Sequence, residues 1–137
     1  MKLFTNSFSV NLDPLRAVDD EDWVRIHVTT KADVFTGNFD AWLQLNDLVR
    51  FKTELEHMDA NIGKSNSAQL VSHEPGVDVT LSMQPLGQIE GSYVFENEST
   101  GNGSTKLSGS FELDQSYLPA LKSSVESLIL ELGGASS

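Results

Sequence analysis

Val77-Asp78-Val79-Thr80-Leu81-Ser82-Met83-Gln84-Pro85-Leu86-Gly87-Gln88-Ile89-Glu90-Gly91-Ser92-Tyr93-Val94-Phe95 reads as two strands and the turn between them. Val77, Val79, Leu81 and Met83 alternate with polar residues, and Ile89, Gly91, Tyr93 and Phe95 repeat the pattern. A period of two marks a strand with one buried face, and Pro85-Leu86-Gly87 has the chemistry of a tight turn. A third run, Leu107, Gly109, Phe111 and Leu113, follows the tract from Asn97 to Thr105, whose Asn, Ser, Thr and Gly content predicts a longer loop. With a short strand around Gln69 to Ser72 in front, these runs predict an antiparallel meander. Strands that follow one another with no helix between them place the chain in the α+β class.

Downstream of the meander, Leu118, Leu121, Val125, Leu128 and Leu132 recur at helical spacing. Ser116 is the expected N-cap, Pro119 sits in the first turn where it costs no helical hydrogen bond, and Gly133-Gly134 is the stop. Upstream, Leu48, Phe51, Leu55, Met58 and Ile62 form a second apolar stripe, with Asn46 or Asp47 as cap and Asn61 and Gly63 at its end. Three strands precede that helix. The first runs from Phe4 to Leu12 and stops at Asp13-Pro14; the second carries Val24, Ile26 and Val28 inward; the third, after a hairpin at Thr30 to Asp33, carries Phe35, Gly37, Phe39 and Ala41 inward. Phe8, Phe35, Phe39, Phe51, Phe95 and Phe111 all fall at core positions. The expectation is a single α+β domain over residues 1–137: a mainly antiparallel sheet of about six to seven strands, with two amphipathic helices packed on one face.

A chain of 137 residues with 39% hydrophobic content can bury a core without covalent staples. It has no cysteine, which excludes disulfides, thiolate catalysis, zinc-thiolate sites and iron-sulfur clusters and suits a reducing compartment. Nine basic against twenty acidic residues give a formal charge of -11. Such a field repels nucleic acid and anionic lipid and attracts a basic protein. Met1-Lys2-Leu3-Phe4-Thr5-Asn6-Ser7 lacks the apolar run of a secretory signal, and no segment approaches the length needed to cross a bilayer, so the expected location is cytoplasmic.

His27, His57 and His73 lack the spacing of a metal site. Glu112 and Asp114 share one strand face, yet a catalytic carboxylate pair also needs a cleft and one raised pKa. The run Asp19 to Asp22 lacks the alternating ligands and turn glycine of a calcium loop and reads as a solvated acidic loop or a docking element. Gly101-Asn102-Gly103-Ser104 has no lysine placed to make it a phosphate cradle, and the two glycosylation patterns at Asn97 and Asn102 mean little without a secretory signal. No nucleophile elbow, Walker loop or dinucleotide fingerprint is present, so the sequence supports no catalytic class.

The acidic loop running into Asp22-Trp23-Val24, the helix from Asp47 to Met58, Ser72-His73-Glu74-Pro75 before a strand, and Leu113-Asp114-Gln115-Ser116-Tyr117-Leu118-Pro119 before the closing helix together resemble the WapI-like family of small bacterial immunity proteins. The resemblance implies a non-catalytic cytosolic protein that binds and neutralises the toxic domain of a polymorphic or contact-dependent toxin. Because nuclease toxins are commonly basic, it also implies a basic toxin protein as partner, with no cofactor, nucleic acid or membrane. Strand position supplies the candidate binding residues: the loop Asp19, Asp20, Glu21 and Asp22, Trp23 as anchor, and Arg25, Asp78, Glu90 and Glu112 as polar contacts. The alternative is a structural or homo-oligomeric unit whose polar sheet face packs on its twin, with small-molecule binding or enzyme activity as a third possibility.

Overall fold

The alternating runs fold as strands, but into two sheets. The computed structural model describes residues 1–72, 76–97 and 105–133. Strands β1 (Lys2–Phe4), β2 (Phe8–Pro14), β3 (Trp23–Ala32) and β4 (Phe35–Gln44) form one four-stranded antiparallel sheet in chain order. Helix α1 (Leu45–Ala60) then leads to β5 (Asn66–Val71), β6 (Val77–Met83), β7 (Ile89–Glu96) and β8 (Lys106–Leu113), a second antiparallel sheet in chain order. A 3-10 turn (Gln115–Tyr117) opens into α2 (Leu118–Glu131). The α+β class is as expected. The single sheet of six to seven strands is not: α1 carries the chain away from β4, and among the described residues β5 pairs with β6 alone, so the two ladders stay separate there.

The run from Phe4 to Leu12 is not one strand. Thr5 folds it back: its Oγ1 accepts the amides of Ser7 (3.4 Å) and Phe8 (3.2 Å), and its own amide donates to the Phe8 carbonyl at 2.6 Å. The turn shifts the parity, so Leu3 and Phe8 are buried while Phe4 is 52% exposed. Asp13 and Pro14, expected to end the strand, are paired within β2 opposite His27 and Ile26. Phe35, expected in the core, is 63% exposed because the Asp33-Val34 turn leaves it at the open end of the β3–β4 hairpin. Phe39 lies at the core's margin.

Helix α1 buries Leu48, Phe51, Leu55 and Met58, whereas Ile62 falls beyond its end and is exposed. The N-cap is Gln44, not the expected Asn46 or Asp47; Asp47, three residues into the helix, secures the start by accepting the Gln44 amide at 2.9 Å. Ser116 is not the cap of α2 as expected: it lies within the 3-10 turn, which Asp114 caps by accepting the Ser116 amide at 2.8 Å, and α2 follows from Tyr117 with no side-chain cap of its own. Gly63 and Gly133 both take positive φ after their helices, the conformation that glycine reaches without steric cost. Gly134 and His73, Glu74 and Pro75 lie outside the described residues, as does the stretch 98–104 of the expected loop.

The buried faces of both sheets and both helices share one core. Aromatic rings join the sheets: Phe8 of β2 stacks on Tyr93 (4.3 Å between centroids) and Phe111 (4.6 Å). Gly91 and Gly109 make room for those rings. A Cβ on Gly91 would overlap the Phe111 ring, and one on Gly109 would sit 2.5 Å from the Tyr93 hydroxyl. Nor do the helices share one sheet face. Helix α1 lies along β5, where Glu54 Oε1 accepts the Gln69 amide at 2.9 Å, and α2 lies along β1, where Ser124 Oγ accepts the Lys2 amide at 2.6 Å. Each helix thus covers one sheet's outer strand, satisfying amides that the ladder leaves unpaired.

Candidate protein-binding face

On β3, Trp23, Arg25, His27 and Thr29 alternate with the buried Val24, Ile26, Val28 and Thr30 and so point away from the core. Antiparallel register sets them opposite Gln44, Trp42, Asp40 and Asn38 of β4. The outcome is a tight cluster around Trp42. The guanidinium carbon of Arg25 lies 4.7 Å from the Trp42 ring centroid, that of Arg16 lies 4.9 Å away, and Trp23 meets the same ring edge-on at 6.1 Å. Cations over an indole are attracted by its quadrupole; here the Arg25 side chain is mostly buried, at 20% exposure, while that of Arg16 stays half-exposed.

Asp40 holds the next row. It faces Arg25 at 3.9 Å and contacts His27 Nδ1 at 2.7 Å, while His27 Nε2 lies 3.3 Å from Asn38 Oδ1. The Asp40 hydrogen bond, followed by that from Asn38, raises the pKa of His27 above its ordinary value. Two oxygen acceptors on the two ring nitrogens favour the imidazolium, which alone donates from both.

The acidic loop is partly architectural. The Asp19 carboxylate accepts the amides of Glu21 and Trp23, each at 2.9 Å, and stands 3.6 Å from Arg16. Asp22 adopts φ 64° and its carbonyl accepts the Leu45 amide at 2.9 Å, which fastens the loop to the β4–α1 junction. Asp20 and Glu21 are left exposed beside Trp23.

The other three expected contacts sit elsewhere. Asp78 lies on β6, and Glu90 and Glu112 face one another across the β7–β8 pair, all on the second sheet. Glu90 and Glu112 join Asp114 and Ser110 along a groove of about 870 Å3 that the turn Thr5–Ser7 closes on its other side. The nine expected residues therefore form two groups: the loop Asp19 to Asp22 with Trp23 and Arg25 at the first sheet, and Asp78, Glu90 and Glu112 on the second. Among the described residues, no three His, Asp or Glu side chains converge as a metal-binding group, and no helix is long and apolar enough to cross a membrane.

A family model described as the immunity protein WapI-like family matches residues 3–133. The chain belongs to that family. No curated protein matches it. The WapI-like match runs from β1 through α2, so both outer faces lie within the family unit. Membership of an immunity family implies a toxin partner in general terms.

Sequence reasoning missed Trp42, Arg16 and the pairing of His27 with Asp40 in this WapI-like chain. For Trp42 the signal was present: the parity that puts Thr36, Asn38 and Asp40 outside continues to position 42. Arg16 carries no such signal, because its approach to Trp42 depends on the path of the loop after β2.

Proposed function

We propose that this WapI-like protein is a non-catalytic cytosolic binding module, a single domain, that neutralises a toxin by covering it with the outer face of β3 and β4. The observation that carries this reading is the Trp42 cluster, in which two arginines and Trp23 converge on one indole. Trp and Arg dominate the energetics of protein interfaces, and side chains already held in place lose less freedom on binding. Asp20 and Glu21 at the rim, with the overall charge of -11, steer a basic partner toward that face.

The test uses as candidate partner the product of the gene adjacent to this protein's own. Mixed with the purified protein, it should form a complex whose association slows as salt is raised, and co-expression should restore growth to cells making the toxin. Absence of a complex at low and at raised salt would refute the proposal. The Asp20→Asn/Glu21→Gln variant should bind with a smaller on-rate and an almost unchanged off-rate, as expected of rim charges.

A further inference from the structure

Two of the four outer strand edges are covered by helices, and the other two have no backbone partner among the described residues. Helices α1 and α2 occupy the β5 and β1 edges through Glu54 and Ser124. Each remaining edge strand, β4 and β8, pairs on one side only. The Asn97 amide bonds the Thr105 carbonyl, so alternation along the ladder turns Leu107, Gly109, Phe111 and Leu113 toward β7. The amides and carbonyls of Lys106, Ser108, Ser110 and Glu112 therefore point outward, and they have no partner among the described residues.

That outward row is self-complementary. We propose that β8 pairs antiparallel with β8 of a second copy about a two-fold axis at Gly109, joining the two second sheets into one. In this register Lys106 faces Glu112 of the other copy, Ser108 faces its Ser110, and both matches recur on the far side of the axis. Antiparallel pairs between opposite charges and between hydroxyls are favourable, and the small Ser108-Gly109-Ser110 centre allows strands to approach to about 4.8 Å. The register also answers a local conflict. Glu90 and Glu112 stand directly opposite each other across β7 and β8, a destabilising like-charge pair, and Lys106 of the second copy would sit on the open side of Glu112. Lys106 already lies 3.9 Å from Glu96, so the row across the junction would read Glu90, Glu112, Lys106, Glu96. The β4 edge offers no equivalent, because its outward residues Thr36, Asn38, Asp40 and Trp42 contain an acid and no base. The β3–β4 face is left uncovered by this pairing.

Sedimentation equilibrium of the whole protein across a wide concentration range tests the pairing, at an ionic strength where the Debye length is about 8 Å and the net charges are screened. The expected mass rises toward twice 15.0 kDa with concentration. Lys106→Glu and Glu112→Lys should each weaken dimerisation at least tenfold, and the double variant should recover it, since the exchanged charges again face each other. Ser108→Pro removes an outward amide that β7 does not use and should give a folded monomer with wild-type circular dichroism. A monomer at every concentration would overturn the proposal, as would a dimer indifferent to both charge reversals and to Ser108→Pro.

Discussion

At the scale of single residues, Asp40 and Asp47 show two uses of a carboxylate. Asp40 is half-exposed and ties the outer row of β3 to β4 through His27 and Arg25. Because its hydrogen bond raises the pKa of His27 in the folded protein above 6.5, the stability gained from protonating His27 is full below about pH 6 and is lost as pH rises through the folded value. Urea titrations of His27→Asn should therefore show a larger deficit against wild type near about pH 5.5 than near about pH 8.5. Equal deficits would mean the imidazolium is not favoured in the fold. Asp47, by contrast, is buried, accepts the Gln44 amide and lies 3.5 Å from Arg50. Asp47→Ala should cost about 1–2 kcal/mol in chemical denaturation, as loss of a helix-start acceptor does; a neutral result would remove its capping role. That a polar group near Asp47 would secure the helix start was legible because an apolar stripe begins there, but the N-cap itself is Gln44. The His27–Asp40 contact was not, because it depends on the β3–β4 register, which no single residue discloses.

At the scale of elements, the β7–β8 pair explains why glycines occupy inward positions in an otherwise apolar row. Gly91 lies under Phe111 and Gly109 under Tyr93, each pair being direct cross-strand neighbours. Gly91→Ala should cost about 1–3 kcal/mol by overpacking, and Phe111→Leu in the same chain should return part of that loss, because the smaller side chain vacates the space. Additive losses in thermal or urea unfolding would contradict this packing. Strand existence and facing were readable from alternation for β3, β6, β7 and β8. The break at Thr5 was hidden because Phe4, Asn6, Phe8 and Val10 kept a plausible parity through a turn made by one threonine hydroxyl. Likewise, the split into two sheets was unreadable: alternation says which face is buried but not which strands pair, and the helices' role as edge covers rests on contacts of Glu54 and Ser124 across long sequence separations.

At the scale of the whole molecule, one core supports two outer faces with different chemistry. The first sheet presents aromatic rings with mixed charges around Trp42, and the second presents Glu90, Glu112 and the hydroxyls beside them. From sequence the nine candidate residues were an acidic loop beside the polar face of a single sheet; the two-sheet fold divides them, keeping Trp23 and Arg25 with the acidic loop and placing Asp78, Glu90 and Glu112 apart. Membership of the WapI-like immunity family calls for a toxin partner, and the proposed function assigns that partner to the first face. The most direct test is calorimetric titration, into wild type, Trp42→Ala and Glu90→Gln/Glu112→Gln, of a toxin domain that the protein binds. Trp42→Ala should weaken binding by about 2 kcal/mol or more, roughly thirtyfold, with the melting temperature little changed, while the double glutamine variant binds as wild type. Unchanged affinity for Trp42→Ala, with loss in the glutamine variant, would place the toxin on the second sheet and contradict the assignment.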